Sequence, residues 1–359
     1  MLEIQKQILE HGLDNIVEKY SLSKRVHPKF PNLVLLKYDI FSPMGEKAVQ
    51  QCRGIILDSQ RDYEVVCRSF DKFFNLHEGH AAQIDWPSAQ VLEKLDGSLV
   101  QMYFYAGEWQ FATSGSPDAG GEAHAAGITF NQLIKNVFNE LGYQYPSLVD
   151  MTFIFELITK YNKIVVDYKG VNRLVLLGVR NRVDGEEFEP ESINRMFKLG
   201  YEVVKEFSEL KTLDEIKTNI ETLNGVESEG YIVVDRNYNR VKIKAPHYVA
   251  LHRLKGEYFN KKRALELILL GETSEVLTYF PEWKEEIQGV ENKLETFKGN
   301  YNTIYSMYKD IESQKDFALK VTSNVTIPGI LFSMRNGKTF DEAVRDVNIK
   351  SLVKVLELE

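Results

Sequence analysis

A lysine that could act as a nucleophile lies in the stretch EKLDGSLV, where Lys94 precedes Asp96 and Gly97. A lysine amine attacks only when deprotonated, so this chemistry needs a pKa depressed by desolvation or by neighbouring cations. Gly97 would let a backbone approach closely, and Asp96 could orient an amine, a hydroxyl or a metal ion. Lys-x-Asp-Gly arises by chance in roughly one chain in ten of this length, so the stretch alone also fits a solvated surface lysine.

Two further lysines, Lys242 and Lys244, alternate with Val241 and Ile243 in RVKIK. Because side chains alternate between the faces of a strand, the lysines share one face and the apolar residues share the other. Two ammonium groups one strand step apart form a phosphate clamp, and they would lower the pKa of a third lysine nearby. Taken alone, the segment is better explained as an ordinary amphipathic edge strand.

Two carboxylates could complete such a site. Glu156 lies inside the apolar run FIFELI, and Glu229 precedes a glycine at the start of a strand-like run. A lone acid in an apolar strand is costly to bury unless it is paired or bound to a metal. Each glutamate taken alone indicates a structural role. Together with the lysines they could hold a ribose and a divalent ion, since Mg²⁺ takes one or two carboxylates plus phosphate oxygens.

Cations also stand next to aromatic residues or glycine upstream. Arg53 precedes Gly54 at the start of a strand-like run, and Lys72 precedes Phe73 and Phe74. A cation beside an aromatic ring suits a nucleotide, although either pair is common by chance.

The elements that must position these residues are short and mixed. Helical patterns near residues 131 and 191 interleave with strand-like runs, and turn residues at 106–108 and 237–239 predict hairpins. The first twenty residues read as one amphipathic helix and not as a signal peptide. These patterns predict an α+β fold of mostly antiparallel sheets with flanking helices. The strand-like runs are LVLLKY, GIILD, EVVCRSF, SLVQMYFY, FIFELI, KIVVDY, RLVLLGVR, EGYIVVD and RVKIKA.

The pattern becomes helical beyond about residue 255. From 282 to 312, apolar residues recur at alternating spacings of three and four, which predicts one long helix with a single packing seam. Thr339 followed by Glu342 predicts a capping box at the start of another helix. We therefore expect a first domain at 1–254 and an all-helical C-terminal domain at 255–359.

The charge balance limits the function. The 359 residues carry 44 Lys and Arg against 52 Asp and Glu, a net charge of −8, which argues against a protein that coats nucleic acid through bulk charge. Nine Lys and Arg between Arg236 and Arg263 face a single acid there, Glu257. This basic stripe fits a focused anion site and a solvated face equally well.

Two negative observations set the cellular context. No apolar run approaches 18 residues, so we expect no membrane span. Cys52 and Cys67 alone form neither a disulfide framework nor a zinc site, which favours a reducing, cytoplasmic setting.

In order, the segments QCRGI, DKFFNL, KLDGSLV, EGY and VKIKAPHYVALH resemble the bacteriophage T4 RNA ligase 1 family, within the covalent nucleotidyltransferase superfamily. The resemblance covers residues 33 to 255 and extends more weakly through the helical part. It implies a nucleotidyltransferase domain, an ATP-dependent RNA ligase activity, and Mg²⁺ as cofactor with Mn²⁺ as a possible substitute.

The resemblance also implies roles for individual residues. Lys94 would become lysyl-AMP, with Asp96, Glu156 and Glu229 as further catalytic residues. Metal ligands would be Glu156, Glu229 and Glu275, the last beside Ser274 at the matched position. ATP would contact Tyr38, Arg53, Lys72, Phe74, Gly97, Lys242 and Lys244. The chain departs from the family where Ala112 and Ser114 replace two lysines, so any phosphate contact of those lysines is missing or supplied from elsewhere.

The resemblance implies RNA partners as well: single-stranded ends, with breaks in tRNA anticodon loops as the expected substrate and the helical domain shaping substrate choice. We expect a monomer without a protein partner, acting in the cytoplasm, or in a host cytoplasm if the chain is phage-encoded. A DNA ligase or an mRNA capping guanylyltransferase is the alternative, but both carry an arginine where this chain has Leu99 and continue into an OB domain. An RNA-binding homologue that has lost activity is the alternative outside enzymes.

Overall fold

The computed structural model describes residues 1–38, 42–76, 78–123, 127–223, 227–246, 248, 259–270, 273, 277 and 283–358. The chain divides into two compact units, Met1–Leu251 and His252–Glu359. Sheets that are mostly antiparallel, with helices beside them, confirm the predicted α+β class. In the part of the chain that the structure describes, no helix combines the length and apolar character needed to cross a membrane.

The strands among the described residues all belong to the first unit. They are β1 (Leu22–Val26), β2 (Leu33–Tyr38), β3 (Arg53–Asp58), β4 (Glu64–Cys67), β5 (Phe74–Asn75), β6 (Gln90–Glu93), β7 (Ser98–Tyr105), β8 (Glu108–Thr113), β9 (Glu122–Ala123), β10 (Ile128–Thr129), β11 (Met151–Ile158), β12 (Arg173–Asn181), β13 (Glu187–Phe188), β14 (Glu202–Val203), β15 (Gly230–Val234) and β16 (Arg240–Lys244).

The helices occur in both units. They are α1 (Glu3–His11), α2 (Leu13–Lys19), α3 (Lys47–Gln51), α4 (Phe130–Glu140), α5 (Pro190–Phe197), α6 (Leu213–Thr222), α7 (Lys261–Leu270), α8 (Lys284–Tyr308), α9 (Gln314–Asn324), α10 (Pro328–Arg335), α11 (Phe340–Arg345) and α12 (Ile349–Val355).

An antiparallel sheet in the order β1-β2-β3-β4 begins the first unit. Helices α1 to α3 cover it through a core that includes Ile4, Ile8 and Val49. The single N-terminal helix that we predicted is wrong, because the chain turns at Gly12 with φ at +84° and α2 starts immediately afterwards.

The longest sheet is antiparallel in the order β13-β12-β11-β7-β8, with β14 added in parallel to β12. Helices α4 and α5 pack on it through an aromatic core that includes Phe111, Phe138 and Tyr201. The predicted hairpin at 106–108 joins β7 to β8, with positive φ at Ala106 and Gly107.

A third sheet runs in the order β5-β16-β15-β6 and packs against α6. The predicted turn at 237–239 joins β15 to β16. β16 pairs with β15 along its whole length and with the two-residue β5 on its other side. It is therefore not the amphipathic edge strand that RVKIK taken alone predicted.

The predicted strand KIVVDY is wrong. Residues 163–168 form no strand, because the N–H groups of Val165 and Val166 donate to the buried carboxylate of Asp96, at 2.7 and 2.8 Å. A side chain thus satisfies the backbone donors that a neighbouring strand would otherwise take.

The second unit is helical where it is described. The predicted long helix is α8, somewhat shorter than the 282–312 pattern, and its buried residues include Ile287, Val290 and Tyr301. The predicted capping box is confirmed, since Thr339 accepts from the N–H of Glu342 and the Glu342 side chain accepts from that of Thr339.

Candidate active site

A cavity in the first unit is lined by residues of β6, β15 and β16 and by residues of β7, β11 and β12. Arg53, at the start of β3, also reaches it. Most of the charged residues in its wall are cations, and much of the remaining wall is formed by aliphatic side chains. The cavity therefore combines an end that suits phosphate groups with an apolar end. The cations are Arg53, Lys94, Arg240, Lys242 and Lys244, and the carboxylates are Glu93 and Glu156.

Lys94 directly follows β6 and is held in place by the neighbouring strand β15. Its backbone N–H donates to the carbonyl of Gly230 at 2.9 Å. Its Nζ lies 2.5 Å from Oε2 of Glu229, and Oε1 of Glu229 lies 3.0 Å from Nζ of Lys244. The Glu229 carboxylate, only 4% exposed, therefore bridges the two lysines and brings three predicted site residues together.

Lys242 and Lys244 share the cavity face of β16, as the strand alternation predicts, and Val241 and Ile243 are buried on the other face. The pKa of Lys242 is lowered to about 8, mainly by burial and then by the nearby charge of Arg53. Further lysines at 72, 94 and 244 act in the same direction. Lys242 therefore carries a charge that a phosphate would stabilise.

Glu156 lies on β11, opposite Leu99 of β7, and faces the cavity. The pKa of its carboxyl is raised to about 7: burial is the main cause and the charge of Glu229 adds to it, while Lys94 opposes both effects. The N–H of Gly97 donates to Oε1 of Glu156 at 3.1 Å. A Cβ on Gly97 would stand 2.3 Å from the carbonyl oxygen of Leu157, so the glycine permits this close packing of the segment onto β11.

The structure does not bring the Asp96 carboxylate into the cavity. Asp96 is 3% exposed and is not among the lining residues. Its carboxylate accepts the N–H groups of Val165 and Val166 and the hydroxyl of Tyr248, the last at 2.6 Å. These bonds hold Asp96 inside the fold, where it anchors the chain next to Lys94.

Of the two adjacent phenylalanines, Phe73 lines the cavity and Phe74 does not. The register of β5 explains this, since Phe74 pairs with Val241 and is buried with it, at 4% exposure. Phe73 therefore points to the side of Lys242. The Arg53 guanidinium stacks on its ring at 4.8 Å.

Lys72 and Tyr38 lie beside the cavity and not in its wall. The Lys72 ammonium sits over the ring of Tyr38 at 4.7 Å and over that of Phe74 at 5.1 Å. Lys72 lines an adjoining pocket that shares Phe70, Phe73 and Arg240 with the cavity.

Among the described residues, two charged residues of the cavity wall escaped the sequence analysis, Arg240 and Glu93. Arg240 continues the alternation of Lys242 and Lys244 by one step, and this signal could have revealed it; it pairs with Glu187 through two short contacts, the shorter at 2.6 Å. Glu93 adjoins Lys94, and burial raises the pKa of its carboxyl. Nothing in its sequence context distinguishes Glu93 from a surface glutamate.

Two cations of the basic stripe within the first unit already have carboxylate partners. Arg236 pairs with Asp85 at 2.8 Å and Arg240 with Glu187. Arg253 and Lys255 lie outside the described residues, and the cations at 261–263 belong to the second unit. In the described part of the stripe, Lys242 and Lys244 line the cavity and could bind an anion there.

Glu156 and Glu229 are the carboxylates that could hold a divalent metal ion. Within the described ranges, no group of three or more His, Cys, Asp or Glu residues forms a metal site. The proposed third ligand, Glu275, lies outside the described residues. A pair of carboxylates suits Mg²⁺, because this ion retains several water ligands and completes its coordination with phosphate oxygens of the substrate. Burial, with a smaller contribution from the charge of Glu229, raises the pKa of Glu156, and a bound cation would stabilise its carboxylate against both effects.

Residues 51–248 match the model of a protein family described as RNA ligase. A protein of Autographa californica nuclear polyhedrosis virus, whose name describes a polynucleotide kinase joined to an RNA ligase, is 27% identical over 95% of this chain and 50% of its own length. The chain thus spans about half of that relative. An RNA ligase of Rhodothermus phage RM378 is 26% identical over 79% of this chain and 78% of its own length. Among solved structures, an archaeal ATP-dependent RNA ligase is similar with a TM-score of 0.49 and 14% identity, covering 94% of this chain and 84% of that one.

Proposed function

This chain belongs to the RNA ligase family, and from that membership we propose that it uses ATP to join RNA 5′-phosphate ends to RNA 3′-hydroxyl ends. One observation carries the proposal: Lys94 lies against Glu229 in a cavity whose wall also carries Lys242, Lys244 and Arg53. A lysine nucleophile among cations that can receive phosphates is the arrangement that nucleotidyl transfer needs.

In the first step the neutral amine of Lys94 attacks the α-phosphorus of ATP. A P–N bond forms, the bond from the α-phosphorus to the bridging oxygen breaks, and pyrophosphate leaves. The amine must first give up its proton and its contact with Glu229, because an ammonium group has no lone pair to donate. Lys242 and Lys244 are placed to neutralise the charge that develops on the phosphoryl oxygens.

In the second step an oxygen of the RNA 5′-phosphate attacks the phosphorus of lysyl-AMP, and the Lys94 amine is released. In the third step the RNA 3′-hydroxyl attacks the activated 5′-phosphate, a phosphodiester forms and AMP leaves. Lys94 thus ends the cycle as it began, with its Nζ free to pair again with Glu229.

Glu156 and Glu229 would hold the divalent metal, for which we propose Mg²⁺ with Mn²⁺ as a substitute. A bound divalent ion supplies charge neutralisation for the phosphate groups. Glu93 immediately precedes Lys94 and is half-buried in the cavity wall. The same wall includes the apolar residues Leu92 and Ile232. We assign this apolar side of the cavity to the adenine base.

We propose single-stranded RNA ends as the substrate class and a broken tRNA anticodon loop as the physiological case. The helical unit would shape that choice and contribute little to adenylylation. Each of these finer assignments can fail without affecting the first chemical step.

The test of the function begins with the purified protein, a divalent metal and ATP or GTP labelled at the α-phosphate. We expect a protein adenylate from ATP that survives denaturation and alkali but is cleaved by warm acid, as a phosphoramidate is. It should be lost in Lys94→Ala and retained in Lys135→Ala, an exposed lysine of α4. The adenylylated protein should then seal 5′-phosphorylated RNA. Label from GTP alone, or a Lys94-independent label, would contradict the proposal.

The same labelled protein tests the substrate class. We expect a cleaved tRNA anticodon loop to be sealed faster than a linear single strand, whereas nicked duplex DNA should remain open. Equal rates on the two RNAs would remove the tRNA assignment and leave the ligase activity in place.

A further inference from the structure

The turn at residues 113–116, after β8, lies against β3 at the edge of the candidate active site. Gly54 allows the contact, because a Cβ there would come within 2.8 Å of the Ser114 Cα and 3.0 Å of its carbonyl oxygen. Gly54 follows Arg53, which lines the cavity. A charge placed at this turn would therefore stand close to the phosphate-binding end.

Lys37 on β2 reaches the same turn. It is paired across the strands with Arg53, and its Nζ lies 3.8 Å from the position that a Cβ on Gly115 would occupy. Lys37 is half-buried. Across the ranges that the structure describes, its ammonium group makes neither an ion pair nor a hydrogen bond.

Two other lysines near this sheet have carboxylate partners. Lys24 on β1 pairs with Asp14 at 2.5 Å, and Lys29 pairs with Glu108 at 3.2 Å. Because a partly buried charge without a partner is costly, Lys37 is in a position that an anion would stabilise. Its neighbour Arg53 completes a cationic edge leading out of the cavity.

β8 itself supplies no cation at this edge. Ala112 is fully buried in the core, and Ser114 is uncharged. We propose that Lys37 binds a phosphate of the substrates at the 113–116 turn, and so provides from β2 the charge that Ala112 and Ser114 lack. The inference rests on the proposed ligase function. Two sources share this chemistry, the β- and γ-phosphates of ATP and the 5′-phosphate end of the RNA.

The test compares Lys37→Met, which keeps most of the aliphatic stem, with Lys24→Met on the adjacent strand as the matched control. Three reactions are measured in the full chain: formation of lysyl-AMP from ATP, transfer of AMP to 5′-phosphorylated RNA, and sealing of RNA that is already adenylylated. Thermal unfolding of each variant reports whether the fold is intact.

We expect Lys37→Met to raise one KM about tenfold, the effect of losing a charged hydrogen bond, with Lys24→Met unchanged. A raised KM for ATP assigns Lys37 to the β- and γ-phosphates. A raised KM for RNA with normal lysyl-AMP formation assigns Lys37 to the RNA 5′-phosphate. In that case the slope of log K for RNA binding against log salt concentration should become shallower by about 0.7. Lys37→Arg, or Ser114→Lys added to Lys37→Met, should restore the affected KM.

Wild-type values in all three reactions for Lys37→Met would overturn the inference, and so would a loss of stability with no change in any KM. Neither result would touch the ligase assignment, which fails only if the wild-type protein forms no Lys94-dependent adenylate.

Discussion

Among the described residues, Lys242 has no carboxylate partner, unlike the other two lysines of the cavity. Lys94 and Lys244 share Glu229, whereas in the described structure Lys242 faces Arg53 and the ring of Phe73, at 5.5 Å from the ring centre. Burial and neighbouring cations bring its pKa to about 8. The Lys242 charge is thus lost just above neutral pH, in addition to the change at the Glu156 carboxyl, whose pKa is about 7.

The pH dependence of adenylylation should reveal this titration. Because the folded pKa is lowered, the ammonium form is present below pH 8 and is lost as the pH rises through 8. The Lys242 contribution to kcat/KM for ATP should then fall about tenfold per pH unit above 8. Lys242→Arg, whose guanidinium stays charged, should lack this fall. The measurement is kcat/KM for lysyl-AMP formation between pH 6.5 and 9.5, and parallel profiles for the two proteins would contradict the assignment.

At the scale of elements, the loop between β4 and β5 is held by an arginine of another sheet. Arg180 on β12 is 9% exposed and donates through Nη1 to the carbonyl of Ser69 at 2.7 Å and to Oδ1 of Asp71 at 3.0 Å. Burial raises the pKa of Asp71, but Arg180 and Lys47 outweigh it and hold that pKa below its usual value. The same loop carries Phe73 into the cavity, so Arg180 positions a cavity wall that it does not form.

We expect Arg180→Met to raise the KM for ATP several-fold and to lower the free energy of unfolding by about 1–3 kcal/mol, since it leaves Asp71 with one partner fewer. Arg182→Met is the matched control. Arg182 follows β12 and bonds Glu64 and Asp150, away from this loop. Comparable stability losses in both variants, with an unchanged KM for ATP, would show that Arg180 acts on stability alone.

Strand alternation predicted the shared face of Lys242 and Lys244, and the order of the motifs pointed to the family. Neither strand alternation nor motif order could predict contacts between segments that are distant in the sequence. The exclusion of Phe74 from the cavity depends on its pairing with Val241, and the failure of KIVVDY as a strand depends on Asp96. Arg180 could not be identified, because only the approach of β12 to the loop at Ser69 gives it a role.

At the scale of the whole molecule, each unit has a hydrophobic core of its own. The cores of the first unit use residues up to Tyr248, and the core of the second uses residues from Phe259 to Leu358. The described residues that line the candidate active site belong to the first unit. The stretch from Lys255 to the end carries 15 Lys and Arg against 17 Asp and Glu, so the helical unit is no generic phosphate-binding surface.

Deleting residues from 260 onward should therefore separate the chemistry from the choice of substrate. We expect the shortened protein to form lysyl-AMP at a rate within about threefold of the full chain, because the cavity and the cores around it are retained. Its preference for a cleaved tRNA anticodon loop over a linear strand should disappear, as the helical unit supplies shape and not bulk charge. Both rates are measured with Lys94→Ala in the same shortened chain as the blank. An unchanged preference would show that the first unit alone selects the RNA, and a well-folded fragment without lysyl-AMP would show that the helical unit takes part in the first step.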